Sequence, residues 1–211
     1  MQQGFDASRD LTPFAPGLKA AGYSFVGRYY NINNQAKNLT LAEAKVLSSL
    51  GLSIIAVWEN GYPIKSSYFS HDVGVHDGTS AYFYAQKTIG QPAGTPIYFA
   101  VDYDASSADL VNNIVPYFIG IADGFKAISG NSPVYPVGVY GSGLVCNSLL
   151  TQNLAAYTWL AQSSGWQGSA GFTQYNIKQL MQVLECPSVK GGIEGDPDTS
   201  PNDNEGSFMI S

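Results

Sequence analysis

Residues 96–104, with the sequence Pro-Ile-Tyr-Phe-Ala-Val-Asp-Tyr-Asp, form the clearest strand pattern in the chain. Side chains alternate between the two faces of a strand, so one face should carry apolar residues toward packed helices: Ile97, Phe99 and Val101. The opposite face should point into the interior of a barrel and carry Tyr98, Ala100, Asp102 and Asp104. An apolar strand that ends in two carboxylates indicates a buried sheet with polar chemistry at its carboxyl end.

Seven further strand-like runs alternate with helical stretches along the chain. The runs cover residues 4–8, 25–30, 53–59, 136–142, 158–163 and 172–176, with a weaker one at 192–196. Helical spacing of apolar residues occurs at 41–50, 74–89, 109–128 and 143–154, and the tail 195–206 is interpreted as a loop. Eight strands alternating with helices predict an α/β fold, a single (β/α)8 TIM-like barrel domain over residues 1–211. Some helices should be short or missing, above all after the sixth and seventh strands, and an open doubly wound sheet is the alternative.

The composition excludes several classes of protein. Only 12% of the 211 residues are charged, and 10 Lys and Arg against 16 Asp and Glu give a net charge of −6. Nucleic-acid binding needs clustered cations, so no nucleic-acid partner is expected. No apolar run approaches the ~20 residues of a membrane span, and 13% aromatic residues exclude a disordered chain. A surface covered by uncharged polar residues is typical of secreted carbohydrate-active proteins.

Three further features bear on the compartment. Cys146 and Cys186 allow either one disulfide or two buried thiols. The tripeptide Asn38-Leu39-Thr40 is a glycosylation sequon, which favours secretion. No signal peptide precedes Gly4, so the chain is expected to be either mature or cytosolic. The favoured prediction is a secreted, monomeric protein.

Carboxylates are concentrated where the predicted strands end. They are Asp6 at the end of the first strand, Glu59 at the end of the third, Asp102 and Asp104 at the end of the fourth, and Asp196 and Asp198 after the eighth. The strand ends of a barrel meet at one mouth, so these groups should converge, and like charges in a partly desolvated site raise the pKa of at least one of them. A proton-donating carboxylic acid needs such a shift. Each of these residues alone is also compatible with a turn or a helix cap.

An arginine and several aromatic residues accompany these carboxylates. Arg28 lies within the apolar second strand, where a buried guanidinium needs an acidic partner, and we expect Asp6 or Asp102 to provide it. Sugar rings stack on aromatic rings and form hydrogen bonds with amide side chains. Aromatic residues at the strand ends are Tyr29, Tyr30, Trp58, Tyr103, Tyr140, Trp159 and Tyr175, several of which should instead fill the core. The predicted substrate-binding residues are Arg28, Tyr30, Trp58, Tyr140, Trp159, Gln162, Gln174 and Asp196.

The sequence lacks the patterns of metal and nucleophile chemistry. A His-Glu-x-x-His pair, Cys-x-x-Cys pairs and a phosphate-binding loop ending in Gly-Lys-Ser/Thr are absent. The two histidines, His71 and His76, would lie about 140° apart on a helix and do not share a metal-binding face. Ser142, at a strand-to-helix turn, has no histidine base near it in the sequence. No metal and no organic cofactor are therefore predicted.

Six motifs resemble a known family. They are Gly4-Phe5-Asp6, Arg28-Tyr29-Tyr30, the strand at 96–104, Gly138-Val139-Tyr140-Gly141, Trp159-Leu160-Ala161-Gln162 and Gln174-Tyr175. In this order they resemble the glycoside-hydrolase-like TIM-barrel domains catalogued as a domain of unknown function. Those domains are in turn distantly similar to the glycoside hydrolase family 25 lysozymes of the Chalaropsis type. The resemblance spans nearly the whole chain, and the fourth-strand motif is its most specific part.

The resemblance implies a muramidase-like site. The family 25 lysozymes carry Asp-x-Glu on the fourth strand, with the Glu as proton donor, and here that position is Asp104. Their first-strand Asp matches Asp6, and their last-strand Asp corresponds loosely to Asp196. Because Asp104 is one methylene shorter than Glu, Glu59 and Asp104 stand as alternative proton donors. The second carboxylate would be Asp102 or Asp6.

The predicted function is hydrolysis of the β-1,4 glycan strand of peptidoglycan by a muramidase of the lysozyme type. The alternative is a cell-wall or glycan-binding module that keeps the aromatic cleft without catalysis. An acidic protein gains no electrostatic attraction to an acidic wall, so an enzyme of this kind is expected to work at acidic pH.

Overall fold

The strands of the protein close into a barrel in chain order. The computed structural model describes residues 1–180, 192–201 and 203–211. In this part of the chain the strands are β1 (Gln2–Asp6), β2 (Phe25–Tyr30), β3 (Ser53–Trp58), β4 (Ile97–Ala100), β5 (Val137–Gly141), β6 (Tyr157–Leu160), β7 (Ile177–Gln179) and β8 (Asp196–Ser200). The predicted TIM-like α/β barrel is therefore confirmed, and the open sheet is excluded.

Helices connect most of the strands. Within the described residues they are α1 (Ala15–Ala20), α2 (Leu41–Ser49), α3 (His71–Phe83), α4 (Ser107–Asp109), α5 (Val115–Ser129) and α6 (Gly143–Thr151). The π-helical turn Tyr84–Ile89 extends α3, and the π-helical turn Leu110–Ile114 joins α4 to α5. Between β6 and β7 the chain forms only a short 3-10 turn, Ser169–Gly171. This confirms the prediction of a missing helix after the sixth strand.

The last strand departs from an all-parallel barrel. Strands β1 to β7 pair in parallel, whereas β8 runs antiparallel to both β1 and β7. The predicted strand bounds at 172–176 and 192–196 are wrong, since β7 begins at Ile177 and β8 at Asp196. Strand β8 therefore lies inside the segment 195–206 that the sequence predicts as a loop. Its sequence, Asp-Pro-Asp-Thr-Ser, has low strand propensity. Pairing with β1 on one side and β7 on the other stabilises the strand despite its low propensity.

The barrel has two apolar layers. The interior is filled by a small cluster of side chains from alternate strand positions: Phe25, Ile55, Val57, Tyr98, Ala100, Trp159 and Ile177. The larger layer lies between the strands and the helices and includes Ile97, Phe99 and Val101. The faces predicted for the fourth strand are confirmed up to Ala100. The residues that follow these interior positions at the carboxyl ends of the strands therefore line the mouth of the barrel.

Arg28 lies in the outer layer and does not face the barrel interior. It is fully buried and forms a two-pronged ion pair with Glu43 of α2, with Nε 2.6 Å from Oε1 and Nη2 3.1 Å from Oε2. Its Nη1 donates to the Ala7 carbonyl, and the Leu11 amide donates to Glu43 Oε1 at 2.8 Å. The prediction that Asp6 or Asp102 pairs with Arg28 is wrong. Both faces of β2 are buried, so alternation alone does not distinguish the inside of the barrel from the outside.

Helices α3 and α5 cross with their backbones in direct contact. Gly74 and Gly78 of α3 face Gly120 and Gly124 of α5, and a Cβ on any of the four would overlap backbone atoms of the opposite helix. At Gly74 the overlap would be with the carbonyl group of Tyr117. Four glycines therefore permit a separation that larger residues would prevent.

The cysteine predictions are only partly covered by the structure. Cys146 of α6 is buried, with Sγ 3.6 Å from the carbonyl oxygen of Gly141. Cys186 lies outside the described residues, so a disulfide and two buried thiols both stay open as predictions. Ser142 is the buried N-cap of α6 and accepts a hydrogen bond from the Val145 amide. Along the described ranges, no helix has the length and apolar character needed to cross a membrane.

Candidate active site

A cleft of about 150 Å³ opens at the mouth of the barrel. Four carboxylates line it, and each is placed by a different strand: Asp6 ends β1, Glu59 follows β3, Asp102 follows β4, and Asp196 begins β8. Because β8 is antiparallel, its first residue and not its last lies at the mouth, directly opposite Asp6. Aromatic and amide side chains complete the lining: Tyr29, Tyr140, Trp159, Gln162 and Gln179.

Asp6 is the most deeply buried of the four carboxylates, at 3% exposure. Burial and the nearby charge of Asp196 raise the pKa of Asp6 to about 7, although hydrogen bonds from Gln179 and Tyr29 act in the opposite direction. The Tyr29 hydroxyl donates to Oδ1 and the Gln179 amide donates to Oδ2, each at 2.9 Å. Asp6 is therefore largely protonated at mildly acidic pH.

Gln179 connects the two sides of the cleft. Its Nε2 donates to Asp6 and, at 3.2 Å, to Asp196 Oδ2. Its Oε1 accepts from the Tyr140 hydroxyl at 2.8 Å and from the backbone amide of Gln162 at 3.3 Å. Burial and the charge of Asp102 raise the pKa of Asp196. One amide side chain therefore fixes the positions of two neighbouring carboxylates.

Glu59 and Asp102 form the more open side of the cleft. Burial raises the pKa of Glu59, while the ammonium group of Lys37, 2.6 Å from Oε1, opposes this rise. Burial also raises the pKa of Asp102, again opposed by Lys37. The Lys37 ammonium lies 4.0 Å from the centre of the Tyr29 ring, which helps to hold it in place.

A fifth acid lies beneath the cleft. Asp198 is buried and accepts a hydrogen bond from the Trp159 indole nitrogen at 2.9 Å. Its Oδ2 has no hydrogen-bond partner among the described residues. Burial and the charge of Asp6 raise the pKa of Asp198. A neutral carboxylic acid is thus the form that this interior position favours.

The structure places five of the predicted site residues, including Arg28, away from the cleft. Asp104 is exposed and accepts a hydrogen bond from the Gln167 amide at 2.8 Å, because β4 ends at Ala100 and strand alternation no longer applies. Tyr30 and Trp58 belong to the outer layer, and the Tyr30 hydroxyl donates to Gln91 Oε1. Gln174 is exposed before β7 begins. With Arg28, these residues are not part of the carboxylate cluster.

Three polar residues in or beneath the cleft, Tyr29, Gln179 and Asp198, are not among the predicted site residues. Gln179 ends a three-residue strand, which leaves too short a pattern to assign a face. Asp198 lies in a segment with turn-forming composition, so a buried strand position was not expected there. Across the described chain, no group of three or more His, Cys, Asp or Glu side chains is arranged to hold a metal ion.

Replacing Lys37 with methionine is expected to raise the pKa of Glu59. Removal of a cation 2.6 Å away destabilises the carboxylate relative to the protonated acid, so protonation persists to higher pH. An NMR pH titration of the Glu59 side-chain carboxyl would measure the change. Lys45→Met removes the same charge from an exposed position away from the cleft and should leave this pKa unchanged. An unchanged or lowered Glu59 pKa in Lys37→Met would contradict the expectation.

A closed α/β barrel that gathers carboxylates and aromatic side chains in one cleft at its mouth defines a glycoside hydrolase-like domain. The chain belongs to the Rv2525c-like, glycoside hydrolase-like domain family, whose model matches residues 17–185. The resemblance drawn from the six sequence motifs is therefore confirmed.

Relatives of known sequence include two proteins of Bacillus subtilis. The chain is 35% identical over 195 residues to the uncharacterized protein YbfG and 34% identical over 190 residues to the uncharacterized protein FadG, in each case over 87% of this chain. It spans only 26% and 32% of their lengths. It is also 26% identical over 159 residues to the Mycobacterium tuberculosis protein named "Putative peptidoglycan hydrolase Rv2525c", covering 74% of this chain and 61% of that protein.

Similar solved structures include the protein Rv2525c and, with lower TM-scores, a muramidase and a family 25 glycosyl hydrolase. The Tat-secreted protein Rv2525c of Mycobacterium tuberculosis superposes with a TM-score of 0.76 at 22% identity, over 98% of each chain. A muramidase from Acremonium alcalophilum gives 0.58 at 17% identity, over 97% of this chain and 95% of that one. A family 25 glycosyl hydrolase from Bacillus anthracis gives 0.55 at 10% identity, over 97% and 91%. At these identities the likeness shows the fold alone.

Proposed function

We propose that the protein hydrolyses the β-1,4 glycan strand of peptidoglycan, as a muramidase does. The observation that carries this proposal is the convergence of Asp6, Glu59, Asp102 and Asp196 on one cleft. Glycoside hydrolysis uses a protonated acid and a second carboxylate, and in this cleft the pKa of every one of the four is raised. The names of the relatives support the choice of peptidoglycan as substrate.

In this proposal Glu59 donates the proton to the glycosidic oxygen. Its side chain is partly exposed at the open side of the cleft, whereas Asp104, the other predicted donor, does not line the cleft. Asp102, which is less buried than Asp6, stabilises the positive charge that develops on the sugar ring or positions the attacking water. Asp6 has both carboxyl oxygens engaged by Tyr29 and Gln179 and helps to hold these two side chains in the cleft.

The protein would act outside the cytoplasm, where peptidoglycan lies. The Tat-secreted relative Rv2525c supports this location. The chain spans a quarter to a third of the Bacillus subtilis relatives. The activity of any longer protein that contains it is therefore part of the same proposal.

Digestion of purified bacterial cell walls tests the proposed function. The protein is expected to release new reducing ends, with N-acetylmuramic acid at the reducing end of the fragments identified by mass spectrometry. Release should be faster at acidic pH, because the proton donor must be protonated. Binding to the walls without any release of reducing ends would overturn the proposal in favour of a non-catalytic glycan-binding module.

A further inference from the structure

The central cleft is too small to hold a glycan by itself. Its volume is about 150 Å³, below the ~300–1,000 Å³ of typical ligand sites. Two further cavities adjoin it. One, of about 370 Å³, shares Asp6, Tyr29 and Asp196 with the cleft and extends to Glu194. The other, of about 240 Å³, shares Glu59. A polymer bound across the cleft must extend into one or both of them.

The cavity beside Glu59, which we call the asparagine pocket, has a distinctive lining. It is formed by Asn31, Asn33, Asn34, Lys37, Glu59 and Tyr62, with the backbone of Gly61. Its two charged groups, Lys37 and Glu59, neutralise each other in an ion pair. The remaining polar groups are amides, which recognise neutral hydroxyl and acetamido groups by hydrogen bonding. The other cavity presents Glu194 and Asp196, so the asparagine pocket is the one better suited to a neutral ligand.

Hydrogen bonds hold the asparagine pocket in a defined shape. Asn31 is buried, and its Nδ2 donates to the Glu59 carbonyl at 2.5 Å. Its Oδ1 accepts from the backbone amides of Asn33 at 3.0 Å and Asn34 at 2.9 Å. The buried Asn60 side chain also accepts from the Asn33 amide, at 3.2 Å. The loops after β2 and β3 are thus joined, and the pocket wall has a fixed position relative to Glu59.

Tyr62 projects from the edge of this pocket. Its side chain is 78% exposed, and its backbone is left-handed, with a φ of 63°. A bulky residue in this conformation is strained, and such strain is concentrated at functional positions. The turn is held by the Ile64 amide, which donates to the Tyr62 carbonyl at 2.8 Å, and by the Asp102 amide, which donates to Pro63 at 3.0 Å. The same segment that presents the ring is therefore bonded to the backbone of Asp102.

We propose that the asparagine pocket is a subsite for one N-acetylated amino-sugar unit, with Tyr62 as the ring on which the sugar stacks. This inference rests on the proposed function, since it supplies a second position along the same glycan. An exposed aromatic ring offers an apolar face to the CH groups of a pyranose. The exposed amides of Asn33 and Asn34 offer partners to its acetamido group. Binding here would hold the chain so that the neighbouring glycosidic bond lies at Glu59.

Calorimetric binding of a β-1,4-linked N-acetylglucosamine hexamer tests the subsite. All proteins would carry Asp102→Asn, so that no cleavage occurs during the titration. Tyr62→Ala is expected to weaken binding by about tenfold, because the stacking surface is lost. Tyr62→Phe keeps the ring and should bind within about twofold of the parent. Phe83→Ala removes an exposed ring elsewhere and should bind as the parent does.

A second ligand tests the sugar class. The corresponding glucose hexamer lacks acetamido groups and should bind more weakly than the N-acetylglucosamine hexamer, and Asn33→Ala with Asn34→Ala should narrow that difference. Equal binding of the two hexamers, undetectable binding of the acetylated one, or an unchanged affinity in Tyr62→Ala would each overturn the subsite. Cleavage is not part of this measurement. A protein that cuts no cell wall but shows the Tyr62 effect loses the proposed function alone, and one that cuts walls without the effect loses the subsite alone.

Discussion

Glu59→Gln and Asp102→Asn are each expected to lower the rate of reducing-end release from cell walls by about 10²–10⁴-fold. Glutamine at position 59 keeps the size of the side chain but cannot protonate the glycosidic oxygen. Asparagine at position 102 removes the negative charge that would stabilise the oxocarbenium-like transition state. Initial rates at saturating wall concentration, measured at the pH optimum of the parent protein, would give both effects.

Asp104→Asn is the matched control for this experiment. It makes the same chemical change two residues from Asp102, but Asp104 is exposed and contacts only the Gln167 amide among the hydrogen-bond partners found in the described chain. Its rate should stay within about twofold of the parent, well short of the loss expected for a catalytic acid. If Asp104→Asn abolished activity while Glu59→Gln did not, the proton donor would be Asp104, and the assignment to Glu59 would be wrong.

Arg28→Met is expected to destabilise the protein by about 3–5 kcal/mol. The substitution leaves the carboxylate of Glu43 buried without its cation, at 1% side-chain exposure. It also removes the donor to the Ala7 carbonyl. The free energy of unfolding, obtained from urea denaturation curves of the parent and the variant, would show the loss as a lower midpoint with an unchanged slope.

The double variant Arg28→Met with Glu43→Gln distinguishes two causes of the lost stability, the unpaired charge of Glu43 and the loss of packing by the arginine side chain. Glutamine keeps an acceptor for the Leu11 amide while removing the unpaired charge. Replacing both members of a buried ion pair often restores stability, so the double variant should be more stable than Arg28→Met alone. A double variant that is less stable than the single one would show that the charge on Glu43 is not the source of the loss.

Most of the barrel was predictable because its strands carry a period-two pattern. In β4 the alternation places Ala100 inside and leads directly to Asp102 at the mouth. The helix predicted over 41–50 is also confirmed, since α2 covers Leu41–Ser49 and begins after Thr40, whose hydroxyl accepts from the Glu43 amide. Where a strong local pattern and the global fold agree, the sequence alone is sufficient to predict the element and the direction of its side chains. That the chain forms one domain and acts as a monomer stays a prediction.

The errors arise where local pattern carries no information about the fold. In a barrel covered by helices both faces of a strand are buried, so the apolar character of Tyr30 does not show which layer it enters. Trp58 follows Val57 on β3, and strand alternation places it on the opposite face, in the outer layer. The sequence pattern of β4 extends to Asp104, but the strand itself ends at Ala100, so the pattern does not give the direction of the Asp104 side chain. Strand β8 forms through long-range pairing with β1 and β7, which overrides its turn-like composition. Gln179 becomes central only once that pairing brings Asp196 beside Asp6.

The antiparallel last strand has a consequence for how the proposed activity would be lost on heating. The barrel is a rolled sheet, and its seam is the contact between the first strand and the last, where Asp6 faces Asp196. The pairing that closes the barrel therefore runs through the carboxylate cleft. Any event that parts the seam also pulls the two acids away from each other, so heat inactivation and rupture of the closure should coincide.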